Sequence, residues 1–206
     1  MATADLQIQA FWKWFTDHES EFKSLSKPDE SFWDLALEQI KTVDEWLWFE
    51  LSAAGSTVRE FVVTAEGHVE AFPVVERLVD RAPKIEGWVF VALKPPMGFT
   101  LTTRYEGTLF EPRHMWFLPL ESPSRPQDFG IRVGIQGLDS MDKTNAHNAL
   151  LVILDTGLAE RAAALDIQYT EVAELPPNPE SLGYIELPEL SDYIAWPKRT
   201  LSAQSD

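Results

Sequence analysis

Two similar series of strand-like and helix-like runs most constrain the fold of this chain. In each series, short apolar runs rich in β-branched and aromatic residues precede a segment with helical spacing, and another apolar run follows. The first series has runs at residues 46–52 and 58–64, a helix at 72–82 and a strand at 88–94; the second has strands within 115–122 and 129–137, a helix at 142–165 and a strand at 167–175. This order predicts an α+β fold with two ββαβ-like halves and helices packed on antiparallel sheet.

The N-terminal residues predict helices that precede the first half. Apolar side chains recur every three or four residues from Ile8 to Leu25, and a second stripe runs from Phe32 to Ile40. We therefore predict a single domain with N-terminal helices at 1–43, a first half at 44–97, a second half at 98–175 and a Pro-rich acidic tail with a short helix at 176–206. One extended sheet is the preferred arrangement, and two small sheets are the alternative.

The first hairpin sets which polar side chains share a face. The small residues 53–57 connect its strands, and the loop length is ambiguous by one residue. A four-residue loop, which we favour, places Glu50 opposite Arg59, whereas a shift of one residue places them on opposite faces.

Composition and charge narrow the possible partners. The chain of 206 residues has a formal net charge of −16, and its first 50 residues hold 11 acidic and 4 basic side chains. Nucleic acids and anionic membranes call for clustered Lys and Arg, so neither is expected as a partner. There is no cysteine, which excludes disulfides and thiolate metal sites, and no N-terminal signal-peptide pattern. A cytoplasmic location and a bacterial type of protein are the expectation.

The sequence contains little that matches known catalytic or cofactor-binding motifs. The glycines of "GIRVGIQG" lack dinucleotide spacing, no phosphate-binding loop with Gly-Lys-Ser/Thr occurs, and "GLDSM" lacks the second glycine of a nucleophile elbow. A Ser–His–acid system needs no fixed spacing and stays open. We predict no cofactor, and a non-enzyme is favoured over an enzyme.

Histidine and tryptophan supply the remaining candidate sites. His68, with Glu66 and Glu70, forms the one local cluster that could ligate a metal, although Gly67 favours a turn followed by a helix start, so no metal site is predicted and His68 is a residual candidate. Trp14 falls off the apolar stripe of its helix, and Trp196 lies in the acidic tail. Exposed Trp beside carboxylates is typical of protein-binding hot spots, so both are predicted binding residues.

Several motifs resemble those of a family of uncharacterised bacterial proteins. They are the "FWKWF" start, the block "TAEGHVEAFPVVERLVDRAPKIEGWVFVALKPP" and the later "ALLVILDTGLAE". The sequence is also similar to small cytoplasmic regulators and to immunity proteins of bacterial toxin systems, which implies a regulatory or inhibitory role. Ala159 departs from the Leu-Gly-Glu pattern that the resemblance leads us to expect, so no role is carried over to Glu160.

Two functional hypotheses follow. The first is a non-catalytic protein-binding, regulatory or immunity-type module whose acidic surface binds a basic protein. The second is a small-molecule-binding domain or hydrolase that uses polar groups on the sheet face. It predicts a concave pocket that holds four side chains together: Glu50, Arg59, Lys94 and Arg132.

Overall fold

The computed structural model describes residues 2–26, 31–125 and 128–195 and shows an α+β fold with N-terminal helices. The helices are α1 (Ala2–Asp17), α2 (Glu19–Ser24), α3 (Ser31–Lys41), α4 (Phe72–Asp80), α5 (Lys143–Leu158) and α6 (Glu160–Asp166), and residues 190–195, in the tail where a short helix is predicted, are also helical. The strands are β1 (Trp48–Leu51), β2 (Arg59–Thr64), β3 (Trp88–Ala92), β4 (Thr103–Tyr105), β5 (Thr108–Phe110), β6 (Trp116–Glu121), β7 (Phe129–Ile135), β8 (Tyr169–Glu174) and β9 (Ile185–Glu186).

The chain divides into two compact units, Met1–Lys94 and Pro95–Asp206. The first unit holds a sheet of order β1-β2-β3, and the second holds the β4-β5 hairpin and a sheet of order β8-β7-β6-β9. The preferred prediction of one extended sheet is therefore wrong for the described residues. The sheets are also mixed, since β2 pairs with β3 and β7 with β8 in parallel. The helices between these strands reverse the chain direction and so allow parallel pairing.

Aromatic side chains form the core of the first unit. Phe61 of β2 lies within 5.1–6.3 Å, between ring centroids, of six neighbouring rings: Phe11, Trp12, Phe15, Phe22, Phe49 and Phe90. The apolar stripe of the N-terminal helices thus packs on one face of the sheet, as its spacing predicts. The indole Nε1 of Trp12 also donates a 2.8 Å hydrogen bond to the Leu78 carbonyl, which holds α4 beside α1.

The hairpin register differs from the predicted one. Glu50 lies opposite Val62, and the Ser52 N–H donates to the Glu60 carbonyl, so the connecting loop is longer than four residues. Glu50 and Arg59 therefore occupy opposite faces of the sheet, and the prediction that they pair is wrong. Arg59 is buried, with 3% of its surface exposed, and donates to the carbonyls of Phe22, Leu25 and Ser52.

Helix α5 covers one face of the second unit's larger sheet. Its N-cap is Asp142, whose side chain accepts a 2.8 Å hydrogen bond from the Asn145 N–H. Its buried side chains join strand residues such as Phe117, Ile131 and Val133 in one core. His147, on the same helix, places Nε2 2.9 Å from the Thr170 hydroxyl.

Gly157, near the end of α5, makes room for an aromatic ring. A Cβ built on Gly157 would stand 2.3 Å from the nearest ring atom of Phe99. A glycine within a helix allows another group to approach closely, and here the close neighbour is the side chain of Phe99, which lies before β4. The Gly98 N–H donates to the Gly157 carbonyl, so residues 98 and 99 hold this end of the helix.

A strained alanine separates α5 from α6. Ala159 has φ 81° and ψ 145°, a backbone conformation that glycine adopts readily and L-residues rarely adopt. Glu160 follows as the first residue of α6 and is fully buried. The resemblance leads us to expect glycine at position 159, and the backbone conformation at that position also favours glycine.

The two units contain corresponding strands. In β1 the pair Trp48-Phe49 lies opposite residues 64 and 63, and in β6 the pair Trp116-Phe117 lies opposite residues 134 and 133. Each second strand, β2 or β7, ends near a glycine with positive φ, 83° at Gly67 and 78° at Gly137. A 3-10 turn and a crossover helix follow, then a parallel third strand. We therefore take β1, β2 and β3 to correspond to β6, β7 and β8.

Candidate functional site

The acidic segment at residues 44–50, which we call the β1 approach, enters the first strand through a turn. The Trp46 N–H donates to a carboxylate oxygen of Asp44 at 3.0 Å, and the Leu47 N–H donates to the Asp44 carbonyl at 3.2 Å. From the turn into β1, burial alternates: Leu47 and Phe49 are buried, whereas Trp46 and Trp48 are 45% and 39% exposed. Two exposed indoles thus lie close together in sequence, one in the turn and one at the start of β1.

Each of these indoles rests on a polar neighbour. The ring of Trp46 stacks on His68, with 3.8 Å between the centroids and 25° between the planes. The ammonium of Lys41 lies 4.1 Å from the centroid of the Trp48 ring, within the range of a cation–π contact. The two rings are therefore held in place while much of their surface stays exposed.

An ammonium between two carboxylates lies near the same strand. Lys94 Nζ is 3.4 Å from a carboxylate oxygen of Glu50 and 3.0 Å from one of Glu66. Glu66 has φ 51° and Gly67 has φ 83°, so the turn between β2 and α4 runs through two left-handed residues. With Asp44 and Glu45 close in sequence, the surroundings of Trp46 and Trp48 carry an excess of negative charge.

The outward side of β1 is an unpaired sheet edge among the described residues. Since Ser52 and Glu60 form a hydrogen-bonded pair, residues 48 and 50 also direct their main-chain groups toward β2. Phe49 and Leu51 alternate with them, so their N–H and C=O groups point away from β2. Within the described part of the chain, β1 has β2 as its single strand neighbour.

His68 does not form a metal site with its neighbours in sequence. Its ring stacks on Trp46, and the carboxylate of Glu66 pairs with Lys94. Among residues 2–26, 31–125 and 128–195, no group of three or more His, Asp or Glu side chains could hold a metal ion. The turn predicted at Gly67 is present, and a 3-10 turn at Val69–Ala71 leads directly into α4.

The predicted binding residues lie in different places. Trp14 is half-buried, and its ring stacks on His18 at 4.6 Å and on Phe32 at 5.7 Å, so it packs between N-terminal helices. Trp196 lies outside the described residues. Glu50 and Lys94 come together, whereas Arg59 is buried on the opposite face. The predicted pocket of four polar groups is therefore not formed.

Arg132 belongs to a separate polar group on the second unit's larger sheet. Its Nε donates to Glu171, and the Tyr169 hydroxyl donates to the other Glu171 oxygen at 2.8 Å. The Tyr169 hydrogen bond, followed by the one from Arg132, holds the pKa of the Glu171 carboxyl below its ordinary value. The same carboxylate raises the pKa of Tyr169 and of Arg132. Glu171 thus accepts a hydrogen bond from each of these two side chains.

Sequence reasoning missed the exposed tryptophans of the β1 approach. By composition alone Trp46 and Trp48 are expected in the core, because tryptophan is on average highly buried. The available signal is the alternation of Trp46 and Trp48 with the apolar Leu47 and Phe49, which would put the two indoles on the same side of an extended chain. Asp44, Glu45 and Glu50 around them mark that side as the exposed one.

Within the described residues, no helix combines the length and the apolar character needed to cross a membrane. Comparison with protein-family models, with curated proteins and with solved structures finds no significant match. The resemblance to a bacterial family therefore stays a prediction.

Proposed function

We propose that this chain is a non-catalytic protein-binding module, of a regulatory or immunity type, and that the β1 approach binds a basic protein. The observation that carries the proposal is the exposure of Trp46, in the turn before β1, and of Trp48, the first residue of β1, among carboxylates. Tryptophan is enriched in binding hot spots, where burial of an indole contributes much of the affinity.

Charge favours a basic partner. Glu45 and Glu50 are exposed beside the two indoles, and the whole chain carries a net charge of −16. Complementary charge speeds encounter and disfavours acidic competitors, while the buried aromatic surface supplies most of the affinity. Binding should therefore weaken with added salt, because the exposed carboxylates are screened.

The small-molecule alternative lacks its predicted set of residues. It needs Glu50 and Arg59 in one pocket, and these side chains lie on opposite faces of the sheet. Arg59 is already bound to three main-chain carbonyls. The protein-binding proposal is therefore the one that the geometry favours.

A comparative capture experiment tests the proposal. The wild type, the double variant Trp46→Ala/Trp48→Ala and the control Leu101→Ala/Leu109→Ala are immobilised and exposed to a lysate of the source cells. Leu101 and Leu109 are similarly exposed, at 46% and 50%, but lie in the other unit. We expect a basic protein that the wild type and the control retain and the tryptophan variant loses, with at least a tenfold weaker Kd for the purified pair. Retention by the tryptophan variant would contradict the proposal.

A further inference from the structure

We propose that the outward edge of β1 binds its partner by strand addition: an extended, basic segment pairs antiparallel with residues 47–51 through main-chain hydrogen bonds. This inference rests on the proposed function, because the added strand belongs to the bound basic protein. It specifies the main-chain contacts by which the basic partner binds, which the exposed tryptophans alone do not specify.

The second unit shows the geometry of such an addition. There β9 pairs antiparallel with β6 on the side away from β7, with Glu186 opposite Trp116 and Ile185 opposite Phe117. The Leu187 N–H also donates to the Met115 carbonyl at 2.9 Å. The corresponding strand of the first unit offers the same groups, since Leu47, Trp48 and Phe49 correspond to residues 115, 116 and 117.

A proline marks the difference between the two edges. Pro119 of β6 corresponds to Leu51 of β1, because each lies two residues after the Phe of the shared Trp-Phe pair. The register agrees: Pro119 lies opposite Ile131, and Leu51 lies opposite Phe61. Proline has no N–H to donate, and pairing of β6 with β9 stops at Phe117. Leu51 keeps its outward N–H, so β1 offers a longer edge than β6 does.

Side-chain alternation defines the chemistry of the added strand. On one face its residues would lie beside Trp48 and Glu50, where a Lys or Arg side chain contacts both an indole and a carboxylate. On the other face they would lie toward Phe49, whose ring packs on Trp33 with 4.6 Å between centroids. The strand should therefore alternate basic and apolar residues.

Charge argues against a second copy of this chain as the occupant. Antiparallel pairing of β1 with itself would bring together two acidic segments, each with Asp44, Glu45 and Glu50 and no basic residue between them. Like charges opposite one another destabilise a strand pair. A basic segment of another protein satisfies the same main-chain groups without that repulsion.

The test begins with a displayed library of random 12-residue peptides selected against the full-length protein. We expect enriched peptides in which Lys or Arg alternates with apolar residues. In amide hydrogen exchange followed by NMR, saturation with one such peptide should slow exchange at Phe49 and Leu51 at least tenfold. Enrichment without the alternating basic pattern, or unchanged exchange at these two amides, would overturn strand addition.

A matched pair of variants separates the main chain from the side chain. Leu51→Pro and Leu51→Ala both remove the leucine side chain, and only the proline removes the outward N–H. We expect Leu51→Pro to weaken binding of the selected peptide at least tenfold relative to Leu51→Ala, with both variants folded by thermal denaturation. If the proline variant does not fold, the exchange measurement on the wild type decides alone.

The outcomes separate this inference from the proposed function. If Trp46→Ala/Trp48→Ala loses the peptide and Leu51→Pro binds it as well as Leu51→Ala does, the binding surface stands and strand addition is wrong. If the tryptophan variant and Leu51→Pro both bind as the wild type does, both proposals fail. A wild-type dimer in light scattering that Leu51→Pro dissociates would identify a second copy as the occupant and overturn the inference.

Discussion

The two units have the same order of strand, strand, helix and strand, yet they treat the edge of the sheet differently. In the second unit β9 covers part of β6, and Pro119 lies two residues beyond Phe117, the last paired residue. In the first unit the corresponding edge has neither a covering strand nor a proline among the described residues, and two exposed indoles lie beside it. Shared topology therefore determines where an edge lies, and local side chains determine whether it is open.

The two units also differ in the burial of an arginine on the sheet. Replacing the buried arginine should cause the largest loss of stability among these predictions. Arg59 is buried and donates to three main-chain carbonyls, whereas the side chain of Arg132 is 41% exposed. We expect Arg59→Met to lower the free energy of unfolding by roughly 3 kcal/mol or more, because buried carbonyls lose their donors. Arg132→Met should cost less than about 1 kcal/mol, since an exposed ion pair contributes little. Urea denaturation of both variants checks this, and equal losses would contradict it.

The crossover helix of the second unit, α5, contains a closely packed glycine, Gly157, whereas the crossover helix of the first unit, α4, contains no glycine. Gly157→Ala should lower the free energy of unfolding by roughly 1–3 kcal/mol, because the added Cβ would stand 2.3 Å from the Phe99 ring. Thermal and urea denaturation measure the change. The double variant Gly157→Ala/Phe99→Leu should recover part of the loss. A gain of about 1 kcal/mol, as an unhindered helical glycine would give, would refute the clash.

The strained link between α5 and α6 should respond in the opposite direction. Ala159→Gly is expected to raise the free energy of unfolding by roughly 1 kcal/mol, because glycine adopts φ 81° and ψ 145° without the Cβ clash. The control Ala162→Gly, within α6, should lower it by about 1 kcal/mol through lost helix propensity. Urea midpoints of the two variants are compared, and a loss at both positions would show that Ala159 is not strained.

The smallest expected effect is a change in stability with pH at Glu171, in the second unit. Because hydrogen bonds from Tyr169 and Arg132 lower the pKa of Glu171 in the folded protein, its carboxylate contributes stability above the ordinary glutamate pKa. That contribution is lost as the pH falls below the ordinary value and through the lowered one. Glu171→Gln should therefore be less stable than the wild type at pH 7, by less than about 1 kcal/mol, and the difference should shrink at pH 3. Urea midpoints at the two pH values test this, and a constant difference would contradict it.

Much of the element order was predictable because it depends on local periodicity. The stripe from Ile8 to Leu25 packs on the sheet as its spacing predicts, and Asp142 caps α5. Sheet organisation was less predictable, because pairing of distant strands leaves no local pattern in the sequence. The predicted hairpin register is wrong for a related reason. A loop of small residues does not define its own length, and a change of one residue in that length moves Glu50 to the other face relative to Arg59.

The candidate site was only partly predictable. Glu50 and Lys94 do lie together, but the "WF" shared by residues 48–49 and 116–117 does not by itself identify a repeat. Two residues are too few to stand out in a sequence, and their correspondence follows from the strand register alone. The exposure of Trp46 likewise depends on what packs around it, which composition does not report.

The buried guanidinium of Arg59 has a consequence for the order in which the chain folds. It supplies donors to the Phe22 and Leu25 carbonyls, which lie 37 and 34 residues earlier in the sequence. During synthesis, the end of α2 therefore lacks these partners until β2 has left the ribosome. The N-terminal helices can form early as helices, but their final docking waits for a contact that closes a loop of more than thirty residues.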